Sequence, residues 1–423
     1  MLSIQYIREN TDRVRRDLLL RNTRASVDRL LELDESRRAI LQEVEGLRAE
    51  KNAANRGIGA SKDPVERESR IAATRGASAL IDDLDGRLKA VEGELNSLLL
   101  EVPNIVGEDV PPGPDEHLNV VLEEIGERPQ FPFQPKPHWD VGVGLAGIDF
   151  ERGVKMSGTR FFVLAGGVAR LHRALIQLML NEHTNAGFSE RYLPYMLTEA
   201  SLTASGQLPK FRENLYQDTE EDYFLIPTAE AAFVNLYRDE IIPPETLPVR
   251  LVAHTPCFRR EKMSAGRDVR GIKRVHQFEK VELFSVCEPD DSAAELNILV
   301  SRARSIPELL GLPYRVVQLC SGDLGFNANK TFDLEIWAPG ANDWMEVSSI
   351  SNCLGFQARR ANIRYRVEAG GSTRFPHMLN GSGLAIPRTL ACILENYQRE
   401  DGSVEVPDAL KPYVGVDVLE PSR

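Results

Sequence analysis

The chain has 423 residues, 42% of them hydrophobic, and a net charge of −12. That length exceeds one ordinary core and predicts two or three domains with well-packed interiors. The acidic balance excludes a protein that coats itself uniformly on nucleic acid. The charge is uneven, however: residues 1–100 hold about as many basic as acidic side chains, so the excess acid lies beyond them. Cys257, Cys287, Cys320, Cys353 and Cys392 form no C-x-x-C pair, which predicts free thiols in a reducing compartment. No apolar run reaches the roughly 20 residues of a membrane span. The N-terminal arginines alternate with Glu9, Asp12 and Asp17, unlike an acid-poor transit peptide. The expectation is a cytoplasmic protein with no membrane partner.

Residues 1–101 predict a helical hairpin. Leu33, Ile40, Val44, Leu47, Ala54 and Ile58 form one heptad seam, and Thr74, Ala77, Ile81, Leu84, Leu88, Val91, Leu95 and Leu98 form another. The run Gly57-Ile58-Gly59-Ala60-Ser61-Lys62-Asp63-Pro64 between them predicts a break, so the two helices pair antiparallel. About 34 residues at ~1.5 Å each give an arm of ~50 Å. Arg48, Lys51, Arg56, Lys62, Arg67, Arg70 and Arg75 gather toward its tip. Such a face suits a phosphate backbone, and equally a dimerising coiled coil with solvated charges. The tip has no aromatic side chain for stacking, so any RNA would be read by shape.

Residues 102–137 are rich in proline, from Pro103 to Pro137, and predict an irregular, extended linker. Residues 138–423 form the remaining domain. Gly142-Val143-Gly144-Leu145-Ala146-Gly147 matches a dinucleotide fingerprint, but Pro137-His138-Trp139-Asp140 precedes it where a buried strand is required. It is rejected on that ground.

Apolar spacing then predicts a helix over 168–184, closed at Gly187 and followed by Phe188, a strand and Pro194. Phe224-Leu225-Ile226-Pro227-Thr228-Ala229-Glu230 reads as a short strand with Thr228 and Glu230 on one face; Thr-Ala-Glu is also a common helix start. His254 to Phe284 predicts strand, loop, strand. It carries Phe258-Arg259-Arg260-Glu261, then Gly266-Arg267-Asp268-Val269-Arg270-Gly271, then His276-Gln277-Phe278-Glu279-Lys280-Val281-Glu282. Fixed cations, an aromatic ring and carboxylates in that order suit a triphosphate, a flat base and a small ammonium-bearing substrate. Trp344-Met345-Glu346-Val347-Ser348-Ser349 is expected to place Glu346 and Ser349 at a strand end. Asn380-Gly381-Ser382-Gly383-Leu384-Ala385-Ile386-Pro387-Arg388 is expected to open a helix reaching Tyr397.

The 258–282 block resembles motif 2 of class II aminoacyl-tRNA synthetases. The 168–194 stretch resembles motif 1, and 380–388 resembles motif 3. The surrounding wording, through the ending Glu395-Asn396-Tyr397-Gln398, looks like the seryl-tRNA synthetase family of bacterial type. Pro387 and the Arg260 to Met263 run depart from the commoner family wording.

The resemblance implies an α+β fold, with an antiparallel sheet flanked by helices and an antiparallel coiled-coil arm. It also implies a homodimer, with motif 1 at the interface. The reaction implied is activation of L-serine with ATP and Mg²⁺, then transfer to tRNA(Ser), and to tRNA(Sec) where that exists. The implied serine ligands are Thr228, Glu230, Arg259, Glu282, Asn380 and Ser382. The implied ATP ligands are Arg259, Glu261, Val275, Phe278, Glu346, Ser349 and Arg388, with Glu346 and Ser349 also on the metal. Arg259 and Arg388 would be the catalytic cations, the guanidinium fork matching carboxylate and phosphate. Two other readings stay open: a ligase that passes seryl-adenylate to another carrier, and a non-catalytic coiled-coil RNA-binding or scaffold protein.

Overall fold

The computed structural model describes residues 1–60, 63–262, 270–368 and 370–422, without the side chains of 57–60 and 66. The chain divides into two compact units. One holds Leu2–Leu19 and Thr23–Pro103; the other holds Met1, Leu20–Asn22 and Asn104–Arg423.

The first unit opens with two short helices, Ile4–Glu9 and Thr11–Leu20. Helices α1 (Val27–Ala60) and α2 (Pro64–Glu101) then form the antiparallel hairpin. The expected seams meet: Ile40, Val44 and Leu84 are buried together, flanked by Leu47, Leu88 and Val91. Ion pairs Arg29–Glu94, Arg37–Glu92 and Arg48–Asp85 cross between the helices at 2.8–2.9 Å. They are exposed, so they help set register more than stability. The break comes later than expected. Helix α1 runs through Gly57-Ile58-Gly59 to Ala60, although each helical glycine costs ~1 kcal/mol relative to alanine. Helix α2 starts with Pro64 in its first turn and Asp63 as N-cap, its side chain accepting from the Val65 N–H at 2.9 Å. Ser61 and Lys62 lie outside the described residues.

The second unit is built on an eight-stranded sheet. Its strands are β1 (Val120–Ile125), β2 (Ser189–Glu190), β3 (Val249–Phe258), β4 (Gln277–Cys287), β5 (Tyr314–Gln318), β6 (Lys330–Ala338), β7 (Asp343–Asn352) and β8 (His377–Ala385). Their order is β1-β5-β6-β7-β8-β4-β3-β2. All pairings are antiparallel except β2 with β3. The expected Pro-rich linker is therefore corrected: within 102–137, residues 120–125 pair with β5 as an edge strand. The strand itself contains no proline, but its residues are exposed on both faces and show no alternation. The first half of the rejected fingerprint, residues 142–144, ends helix α3 (His138–Gly144).

Strand β4 explains the layering. Side chains alternate across a sheet. Val281, Leu283 and Cys287 enter one core with helices α4 (Gly166–Asn185), α6 (Ser292–Leu309) and α8 (Ile386–Asn396). Phe284 and Val286 enter a second core with Phe233 of α5 (Glu230–Asn235) and Ala358 of α7 (Phe356–Arg360). A strand buried on both faces shows no clean alternation of polarity. Gly187, at φ +91°, closes α4 as expected. All five cysteines are buried and free. Among the described residues no helix is long and apolar enough to cross a membrane.

Candidate active site

The even residues of β4 carry the site. Phe278, Lys280 and Glu282 share the face that continues into Phe284, and the pairing register aligns Ala253, Thr255 and Cys257 of β3 with them. On the other side Ser382 of β8 pairs with Glu282, and Asn380 pairs with Phe284. Paired residues in an antiparallel ladder point the same way, so Asn380 and Ser382 join this face. A cavity of about 640 Å³ opens over it. Thr228, Glu230, Arg259, Glu261, Val275, Phe278, Glu282, Glu346, Ser349, Asn380, Ser382 and Arg388 all line it. Every site residue named from the sequence is thus brought to one cavity. Residues 263–269 of the glycine-rich loop lie outside the described residues.

Two local expectations are corrected. Thr228 and Glu230 do not share a strand face: the strand is only Phe224–Leu225, and Glu230 begins α5. They meet because a bend follows Pro227. Glu346 and Ser349 are not at a strand end but inside β7. Three apart, they would face opposite sides of a regular strand. A bulge restores them: Ser349 pairs with Asp333 and Glu346 with Glu335, leaving Val347 unpaired.

The cavity has two chemically distinct ends. At one end Glu230 is held by Gln357 of α7. Burial, then the like charge of Glu282, pushes the Glu230 carboxyl up to about 7. Lys280 is buried against Glu282 in an ion pair and donates to Thr228 Oγ1 at 2.7 Å. Lys280 has no role among the expectations from sequence, although its period-two position between Phe278 and Glu282 marks it. At the other end Arg388, in the first turn of α8, donates to the Glu346 carbonyl at 2.8 Å and to the Lys273 carbonyl at 3.1 Å. Arg388 also pairs with the Glu346 carboxylate at 3.2 Å. The Arg259 guanidinium lies 5.1 Å from the Phe278 ring centre, and its Nε donates to the Pro227 carbonyl at 3.2 Å. Glu261, at φ +50°, pairs with Arg274 at 3.6 Å.

Behind Glu346 and Ser349 stands Asp333. Its carboxyl is raised well above the usual range by burial and then by the charge of Glu346. One of its oxygens, buried, finds no hydrogen-bond donor. An orphaned carboxylate oxygen beside a second carboxylate and a hydroxyl is a hard-oxygen environment that fits a magnesium ion.

Comparison with known proteins agrees with this architecture. Residues 210–397 match the family described as tRNA synthetase class II core domain (G, H, P, S and T), and residues 1–106 match the seryl-tRNA synthetase N-terminal domain. The chain is 55% identical to a serine–tRNA ligase of Thermomicrobium roseum over 98% of this chain and 94% of that one. It is 50% identical to one from Dehalococcoides mccartyi over 99% and 100%. Among solved structures, seryl-tRNA synthetase from Pyrococcus horikoshii complexed with ATP superimposes with a TM-score of 0.95 at 35% identity, covering both chains completely. The cytoplasmic enzyme of Naegleria fowleri in complex with AMP gives 0.89 at 31%, covering 100% of this chain and 99% of that one.

Proposed function

We propose how this chain works from one premise: it belongs to the seryl-tRNA synthetase family. It is a serine–tRNA ligase. The observation that carries the detailed reading is the single cavity in which all the named residues meet. Glu230 and Thr228 take the serine ammonium, and Glu282 with Ser382 takes its hydroxyl, Asn380 completing that end. Arg259 holds the serine carboxylate against the α-phosphate of ATP. Val275 and Phe278 receive the base, Glu261 reaches the nucleotide, and Arg388 neutralises the γ-phosphate.

A carboxylate oxygen of serine attacks the α-phosphorus and pyrophosphate leaves. A terminal ribose hydroxyl of tRNA(Ser), or of tRNA(Sec) where it exists, then attacks the acyl carbon and AMP leaves. No side chain acts as nucleophile. Arg259 and Arg388 work by positioning and by charge, in a site where both are partly withdrawn from water. Glu346 and Ser349 would hold Mg²⁺ together with ATP, with Asp333 behind them, and the ion would supply charge neutralisation on the phosphates. Among the described residues no trio of His, Cys, Asp or Glu closes a metal site unaided, so phosphate oxygens would complete the ligand set.

Residues 1–101 serve as the tRNA-binding arm, and residues 138–423 as the catalytic domain of a cytoplasmic homodimer. Serine-dependent ATP–pyrophosphate exchange, followed by aminoacylation of tRNA(Ser), tests the reading. Arg259→Ala and Arg388→Ala should each slow exchange by ~10²–10³, the usual loss for a transition-state contact. Normal exchange in either folded variant would remove that arginine from the site. Exchange without transfer would favour a different acyl acceptor.

A further inference from the structure

A buried polar chain behind the cavity wall is left unused by the mechanism above. Glu395, fully buried near the end of α8, has both oxygens engaged. Its Oε1 accepts from the His138 backbone N–H at 2.9 Å and lies 2.8 Å from His138 Nδ1. Its Oε2 accepts from the N–H groups of Gly340 and Ala341 at 2.9 and 3.1 Å. On the far edge of the imidazole, Nε2 accepts from the Ile272 N–H at 3.1 Å. A backbone N–H can only donate, so Nε2 carries no proton there; Nδ1 carries it and donates to Glu395. The two partners fix one neutral tautomer.

Ile272 opens the run Ile272-Lys273-Arg274-Val275, which lines the cavity. The next residue is gripped as well, since the Lys273 carbonyl accepts from Arg388 Nε at 3.1 Å. Arg388 and Glu395 stand seven residues, or about two turns, apart on one helix. Helix α8 therefore holds consecutive residues of this run by opposite ends: the N–H of 272 through Glu395 and His138, and the C=O of 273 through Arg388. Gly271 permits the close approach. It lies at φ +73°, and a Cβ there would fall 2.1 Å from His138 Nε2.

We propose that His138 and Glu395 are positioning residues for the nucleotide end of the site. They set the 272–275 wall, and with it Val275 against the base, without touching either substrate. The proposal rests on the reading of the cavity as an ATP-plus-serine site. It concerns the ATP half alone, because Thr228, Glu230, Glu282 and Ser382 are carried by other segments.

Two near-isosteres separate the two bonds of the ring. In His138→Asn the amide nitrogen can take the place of Nδ1 and keep Glu395, but nothing reaches Ile272. In His138→Gln the amide oxygen can take the place of Nε2 and keep the Ile272 bond. Pyrophosphate exchange by the full-length enzyme would give KM for ATP and for serine separately, with thermal unfolding measured alongside. His138→Asn should raise KM for ATP about tenfold or more, the effect of stranding one buried N–H, and leave KM for serine within about twofold. His138→Gln should recover most of the loss. Equal losses in both variants, with both KM values moving together, would mean a histidine that only packs, and would overturn the proposal. An unchanged KM for ATP in His138→Asn would do the same.

If the histidine variants fail to fold, Gly271→Ala leaves the ring intact but pushes it off Ile272. It should reproduce the ATP-selective defect, and an unchanged KM for ATP or a parallel rise in both KM values again overturns the proposal. Absence of serine-dependent exchange in the wild-type chain would be a different failure, that of the functional reading itself, and would take this proposal with it.

Discussion

Glu230 and Lys280 show how much one residue's surroundings decide. Glu230, raised to about 7 by burial and by Glu282, is largely neutral in the serine-free site below that pH. It must ionise to pair with an ammonium, so KM for serine should rise as pH falls below about 7, and Glu230→Gln should flatten that dependence. The stability effect runs the other way. The folded pKa exceeds the ordinary 4.5, so the folded state binds more protons between 4.5 and about 7. The contribution of this group is full below 4.5 and is lost as pH rises through about 7. Urea titrations of the serine-free protein across that window should show Glu230→Gln losing less stability with rising pH than wild type; an identical slope would place the titration elsewhere.

Lys280 is hard to single out in the sequence, since a lysine in a run of charges looks like a solvated face. Burial against Glu282 gives it a different role. Lys280→Met should raise KM for serine and destabilise by ~3–5 kcal/mol, because Glu282 would be left buried without a counter-charge. Adding Glu282→Gln should recover part of the stability. A neutral effect of Lys280→Met on denaturant midpoint would show the pair to be dispensable.

At the scale of elements, periodicity is legible in the sequence and irregularity is not. The arm helices, α4, the strand-loop-strand of 254–284 and the helix opening at 386 are legible because their patterns repeat or because a cap marks their ends. The edge strand at 120–125 was not, because its residues are exposed on both faces and carry no alternation to read. The bend that sends Glu230 into a helix was also missed: Thr-Ala-Glu fits either a strand end or a helix start, and tertiary packing decides. The bulge at Val347 had no local marker at all, for Glu346-Val347-Ser348-Ser349 contains neither glycine nor proline. Its effect is nevertheless large, since it puts Glu346 and Ser349 on one face. Glu346→Ala would leave the bulged ladder in place and remove the carboxylate from that face. Exchange should fall by ~10² or more, as for loss of a site contact, while strand content by circular dichroism stays near wild type. Retained activity in the folded variant would deny Glu346 its role.

For the whole molecule, the order of the segments was readable because composition changes along the chain: a charge-balanced heptad hairpin, a proline-dense stretch, then an acidic body. The boundary between compact units falls at Pro103–Asn104, close to where the helical pattern stops. The division of labour is the central claim. The cavity residues all lie in the second unit, and exposed Arg56, Arg67 and Arg75 lie on the first. Adenylate formation should therefore need no arm, while transfer to tRNA should. The most direct measurement compares serine-dependent pyrophosphate exchange with tRNA(Ser) aminoacylation in a chain lacking residues 30–100. Exchange should stay within a few-fold of wild type while KM for tRNA rises sharply, and tRNA binding by the intact chain should weaken with salt. Exchange and aminoacylation falling together, with a shift to monomer in sedimentation, would instead make the hairpin a scaffold for assembly and contradict the division.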